Sequence, residues 1–269
     1  MFKQRLISSL IFVPISLAAF YFGNWALLLF MGLVLGLGAY EYSRILNQAG
    51  LRVNQVLVVG GVLALVALRH FFAFQYGALS VSVLLLGLAG HALFQYERGN
   101  DQAYQQFALE LSGVLYLGWL GAYSISLRQL PNGAWLAVAA VALVMLVDLG
   151  AYVVGSLLGK HHFAPRLSPS KTWEGLAGGL VFGAGCGALI GWLGAPVLPE
   201  LGVWRGLGLG ALMAVISPFG DIFLSMLKRG AGVKDAGKLL PGIGGIMDRI
   251  DSWIWGMTAA YYFVLLLIR

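Results

Sequence analysis

From Leu6 to Tyr40 the chain runs for thirty-five residues without a formal charge, and from Gly175 to Pro199 for another twenty-five. A soluble core does not absorb uncharged stretches of that length. A hydrocarbon layer does, because about 20 predominantly apolar residues in a helix cross it. Apolar residues fill 59% of the 269 positions and charged residues 10%, against about 25% charged in a soluble domain. The composition excludes an ordinary soluble fold and points to an all-α integral membrane protein.

Nine segments are long and apolar enough to read as spans: 6–22, 25–41, 54–74, 78–95, 107–127, 134–158, 175–195, 204–227 and 252–268. The segment at 54–74 is the weakest, since Arg69 and His70 sit near its end. The opening MFKQRLISSLIFVPISLAAFYFG resembles a signal peptide but has no clean small-x-small cleavage site, so a retained first helix is expected. Thirteen of the seventeen Lys and Arg residues fall at the N-terminus and in the even-numbered connections. Basic residues favour the cytoplasmic side, which predicts an N-in, C-out topology. The 38 glycines, in runs such as GLAGGLVFGAGCGALIG, predict close helix packing. The single cysteine, Cys186, lies in that run; it excludes a disulfide framework and reads as a small packing residue. No soluble domain, linker or internal repeat is visible. One polytopic membrane domain is expected, with N-terminal helices over 1–130 and a catalytic part over 134–269 that carries polar loops at 159–174 and 228–251.

The stretch KRGAGVKDAGKLLPGIGGIMDRIDS, 228–252, concentrates eight of the twenty-eight charges and six glycines. Acids also interrupt apolar spans at Glu110, Asp148 and Asp221. An ionised carboxylate at membrane depth is costly unless paired or wet, so such residues are functional candidates. Glu110, near the end of its span, reads as structural. Asp221 follows Pro218 and Gly220, and Ser225 and Lys228 fall four and seven residues on, so one helical face carries carboxylate, hydroxyl and ammonium. Asp248 and Asp251, three apart at the start of the last helix, face one side. Together with Asp221 they predict carboxylates converging on one cavity, a charge that Mg²⁺ offsets using one or two carboxylates and phosphate oxygens. Lys228, Arg229, Lys234 and Arg249 suit a polyphosphate, and the glycines of PGIGG bring backbone N–H groups close to phosphate oxygens. His161 and His162, adjacent, have the wrong spacing for two ligands on one helical face.

The stretch SMLKRGAGVKDAGKLLPGIGGIMDRIDS resembles the C-terminal signature of phosphatidate cytidylyltransferases, also called CDP-diacylglycerol synthases. Gly220–Asp221, DLGAY…GK (148–160), SPSKTWEG (168–175), MFKQRLIS and AYEYSRIL fit the same family. The resemblance implies a membrane enzyme that condenses CTP with phosphatidate to CDP-diacylglycerol and pyrophosphate using Mg²⁺, with a second cation left open. It implies that Asp221 and Asp248 hold the cation. Lys171, Lys228, Arg229, Lys234 and Arg249 would face phosphates, while Ser168, Ser225, Asp148, Asp235, Asp251, Gly244 and Gly245 would complete the cavity. Ile243 stands where the family has histidine, and Leu224 where it has an acid. Membrane lipids are expected as partners and nucleic acid is not; a homodimer stays open. The site is expected on the cytoplasmic side of the inner membrane. Two rivals stand beside this reading: a weakened or inactive lipid- and nucleotide-binding member of the family, and a transporter.

Overall fold

The computed structural model describes residues 2–233, 236–237 and 244–267, with side chains from Phe12 onward. Its elements are α1 (Phe2–Phe22), α2 (Asn24–Gln48), α3 (Gln55–Phe72), α4 (Gly77–Glu97), α5 (Ala103–Gly113), a π-helical segment (Val114–Leu120), α6 (Tyr123–Gln129), α7 (Gly133–Leu158), α8 (Trp173–Leu193), α9 (Gly202–Gly230) and α10 (Met247–Leu267). Among the described residues every regular element is helical. Seven helices, α2, α3, α4, α7, α8, α9 and α10, are long and apolar enough to cross a membrane. Large apolar side chains such as Leu29, Leu86, Val181 and Trp204 stand exposed on their outer faces. Exposed apolar surface on that scale needs a lipid partner. The chain is a membrane protein.

Two segments differ from the sequence expectation. The span expected to end at residue 41 continues to Gln48, because Tyr42, Ile45 and Leu46 prolong its buried stripe. The span expected over 107–127 is not one α-helix: α5 gives way to the π-helical segment, and α6 follows. Here Gly113 lies against Tyr42 and Val58, Gly118 against Val62 and Leu65, and Gly121 against Leu35. Bulky side chains on α2 and α3 occupy the space a Cβ would take, so the backbone adapts to them; π-helical turns accommodate such insertions. The weak span at 54–74 is the helix α3. Arg69, buried at 3% exposure, sits 3.5 Å from the Phe74 ring centroid and 4.4 Å from that of Trp119, and donates to Ser126 Oγ at 3.1 Å. Cation–π contact offsets part of the cost of desolvating it.

The chain divides into two compact units. The first comprises residues 1–126 and 230–248, the second 127–229 and 249–269. In the first unit α2, α3 and the π-helical segment enclose Leu35, Val58, Val62, Val114 and Leu117. Tyr42 donates to the Leu109 carbonyl at 2.8 Å. Glu110, 1% exposed, accepts from the Asn54 amide and from Gln106 Nε2, both at 2.8 Å. These bonds tie the start of α3 to α5.

In the second unit α8 is a glycine rail. Gly175, Gly179, Gly183, Gly187 and Gly191 recur every four residues and all are buried. A Cβ on Gly175 or Gly179 would meet the α7 backbone, and one on Gly187 or Gly191 would meet the carbonyls of Gly206 or Gly202 in α9. With no hydrophobic drive between helices in lipid, such backbone-to-backbone approach supplies the van der Waals attraction. Cys186, half-buried in α8, is a free thiol.

Candidate active site

The loop between α7 and α8 is built by its own hydrogen bonds. His162 and Thr172 form an antiparallel bridge, the Phe163 amide donates to the Lys171 carbonyl at 3.2 Å, and the Ser168 amide donates to that of Ala164 at 2.9 Å. Thr172 caps α8 by accepting from the Gly175 amide at 3.1 Å. Glu174 accepts from the Lys160 and His161 amides at 3.2 Å and pairs with His161 Nδ1 at 2.5 Å. His161 therefore ties down the loop. These bonds set the direction of Lys171, the residue just before the cap.

Lys171 Nζ lies 2.8 Å from Asp221 Oδ2. Asp221 sits on α9, which runs through Pro218 without ending. Pro218 has no N–H to give the Ala214 carbonyl, one turn before the carboxylate. Asp251, on α10, is 8% exposed and accepts from the Ser252 amide at 2.7 Å. The two helices meet at Gly220, where a Cβ would strike the Asp251 carbonyl; the contact needs a glycine. Asp148 on α7 and Asp251 both act on the Lys171 ammonium through space. Three carboxylates thus face one ammonium. Ser225, one turn beyond Asp221, is 8% exposed. Lys228 and Arg229 close the last turn of α9, and Arg249 is half-buried. Leu224, where the family signature has an acid, is 1% exposed and packs as core.

Burial alone would pull the Lys171 pKa down. Asp221 first, then Asp148 and Asp251, push it the other way and prevail, so it lies above its ordinary 10.5. A raised lysine pKa contributes stability that is complete below the unfolded value and is lost as pH climbs through the folded value. The thermal midpoint of the purified protein in detergent is therefore expected to hold through neutral pH and to fall above pH 10.5. A Lys171→Met variant is expected to show a smaller alkaline fall. An identical fall in both proteins would deny the pair a stabilising role.

Asp248, Gly244 and Gly245 belong to the other unit. Asp248 Oδ2 accepts from the amides of Gly245 at 2.9 Å and Ala236 at 3.1 Å, in the first turn of α10, where the helix dipole favours an anion. The Gly245 amide, which the sequence marks as a candidate phosphate contact, donates to Asp248. Gly244 has φ +102°, a backbone conformation open to glycine. Lys234, Asp235 and Ile243 lie outside the described residues. Among the described residues no group of three or more acidic, histidine or cysteine side chains is arranged to enclose a metal.

One residue stands beyond those the sequence singles out. Glu41, 1% exposed on α2, accepts from the Met247 amide at 2.9 Å. The signal is present in the sequence: Met31, Val34, Gly38, Glu41 and Ile45 share the buried face of α2, and an acid on an apolar face is costly unless it has partners.

The profile of the cytidylyltransferase family matches residues 3–267. A Pseudomonas aeruginosa protein named phosphatidate cytidylyltransferase is 36% identical over 271 residues, covering 97% of this chain and 94% of its own length. Proteins of the same name from Synechocystis and Brucella suis are 32% and 30% identical, each covering at least 97% of this chain and at least 92% of their own length. The Lys171–Asp221 pair, Asp148, Asp251 and the Asp248 turn all fall inside the matched span, and the chain belongs to the cytidylyltransferase family.

Proposed function

We propose that the protein transfers a cytidylyl group from CTP to phosphatidate, giving CDP-diacylglycerol and pyrophosphate. The observation that carries the reading is likeness over nearly the whole chain to relatives named for that activity. The polar cluster at the ends of apolar helices supports it, since it joins a site for charged phosphates to a surface that holds lipid.

In this reading a non-bridging oxygen of the phosphatidate phosphate forms a bond to the α-phosphorus of CTP. The bond from that phosphorus to the β-phosphate bridging oxygen breaks, and pyrophosphate leaves. The attacking phosphate is already anionic, so no strong general base is required; catalysis rests on positioning and charge stabilisation. Lys171, steadied by Asp221, is a fixed point charge for a phosphate oxygen. Lys228, Arg229, Lys234 and Arg249 add further positive charge, and Ser168 and Ser225 add hydroxyl donors. Asp148, Asp235, Asp251, Gly244 and Gly245 are proposed as the remaining substrate-binding residues.

Mg²⁺ is the cation this reading calls for. Oxygen ligands suit a hard cation, the carboxylates around Lys171 outnumber it, and Mg²⁺ is satisfied by one or two carboxylates with phosphate oxygens. Asp221 and Asp248 are the residues proposed to hold it, and when bound it would supply charge neutralisation of the triphosphate. Nine crossings, N-in and C-out, counting α1 and the α5–α6 segment, would set this chemistry on the cytoplasmic face of the inner membrane. A homodimer is compatible with the reading.

The test uses purified protein with labelled CTP, phosphatidate and Mg²⁺. Label is expected in the lipid phase only when all three are present. No lipid label, while an Ile243→His version produces it, would mean that this chain is not the active enzyme.

A further inference from the structure

Glu41 lies inside an apolar helix, 1% exposed, and among the described residues no basic group lies within ion-pair distance of it. Burying such a group costs several kcal/mol, which a purely packing role would not require. Its surroundings show what the carboxylate does. Oε2 accepts from the Met247 amide at 2.9 Å, across 206 residues of sequence. A Cβ on Gly245 would meet Oε2, and one on Gly237 would meet Oε1. The carboxylate is therefore wedged between two glycines of the charged stretch and anchored to the first residue of α10. The same short stretch carries the two amides that hold Asp248, those of Ala236 and Gly245. Glu41 lies against Gly237, which follows one donor, and against Gly245, which is the other, and Met247 immediately precedes Asp248. All of these residues belong to one unit.

We infer that Glu41 is a positioning residue for the turn made by residues 236–237 and 244–247, holding the backbone whose amides orient the Asp248 carboxylate. Its contact with chemistry is indirect: it sets the turn, and the turn sets Asp248. The catalytic consequence rests on the proposed cytidylyl transfer; the conformational consequence does not.

Two measurements on the full-length protein in detergent separate these. In hydrogen exchange followed by peptide mass analysis, Glu41→Gln is expected to speed exchange at least tenfold at the Ala236 and Gly245 amides, leaving α7 and α8 unchanged. Unaltered exchange in that turn overturns the inference, whether or not the protein makes CDP-diacylglycerol. In the transfer assay, Glu41→Gln is expected to lower kcat at least tenfold with KM for CTP changed less than threefold. Combined with Asp248→Asn, it is expected to add little further loss, because both act through one carboxylate. Fully additive losses would assign Glu41 a merely structural role and overturn the inference. If Glu41→Gln does not yield folded protein, Gly245→Ala approaches the same contact from the other side and is expected to give the same exchange signature; its absence counts equally against the proposal. A wild-type protein without transfer activity but with a Glu41-dependent turn would sink the proposed function and leave this inference standing.

Discussion

Asp221→Asn is expected to cut the rate of CDP-diacylglycerol formation at saturating substrates by at least about a hundredfold, the scale of losing one preorganised charge contact. The Asn side chain keeps the shape and removes the charge. Lys171 Nζ then loses the carboxylate 2.8 Å away, and an ammonium on a flexible four-carbon stem no longer has a fixed direction. The remaining carboxylates, Asp148 and Asp251, act on Lys171 only through space and do not replace the contact. If Asp221 also holds Mg²⁺, the Mg²⁺ concentration for half-maximal rate rises in the same variant. Gel filtration and thermal unfolding establish that the variant is folded before rates are compared. A rate within threefold of the parent, with unchanged Mg²⁺ dependence, would remove Asp221 from the site.

The second large effect is on folding. Gly187→Leu places a branched side chain where even a Cβ would meet the Gly206 carbonyl. Backbone does not yield as a side-chain tip does, so α8 and α9 must separate along their line of contact. Overpacking of this kind costs about 3 kcal/mol or more, and in lipid no hydrophobic gain offsets lost helix contact. Gly187→Leu is expected to give little monodisperse protein and a strongly lowered thermal midpoint. Gly185→Leu, two residues away on the same helix, is the control: nothing lies within 4 Å of a Cβ there, and its stability is expected to match the parent. Equal behaviour of the two variants would refute the glycine rail as the basis of α8–α9 packing.

The site residues differ in how much of their role the order of residues carries. Asp221, Ser225 and Lys228 share a helical face because 3.6 residues per turn makes it so, and α9 is helical throughout that stretch. Lys171 is legible in the sequence only as one basic residue in a motif. Its role as the immediate partner of Asp221 depends on the Thr172 cap and the bonds of the preceding loop, and no periodicity encodes those. The span expected over 107–127 is helical but not one α-helix, for a related reason. Apolar content does not distinguish an α-turn from a π-turn, while Gly113 and Gly118 lying against Tyr42, Val62 and Leu65 does. Glu41 stands at the apparent end of an apolar run, and a charge at such a boundary looks solvated. The helix continuing to Gln48 puts it inside.

By itself the sequence determined that this chain is helical and lives in a membrane, and its long polar signature identified its family, because hydropathy and motif order accumulate along a segment without reference to anything distant. Tertiary structure alone decided which groups meet: Lys171 with Asp221, Gly187 with Gly206, Glu41 with the turn before Asp248. Those pairings depend on where backbone atoms from separate helices come to rest, and short-range attraction and repulsion of a few ångströms leave no periodic trace in the order of residues.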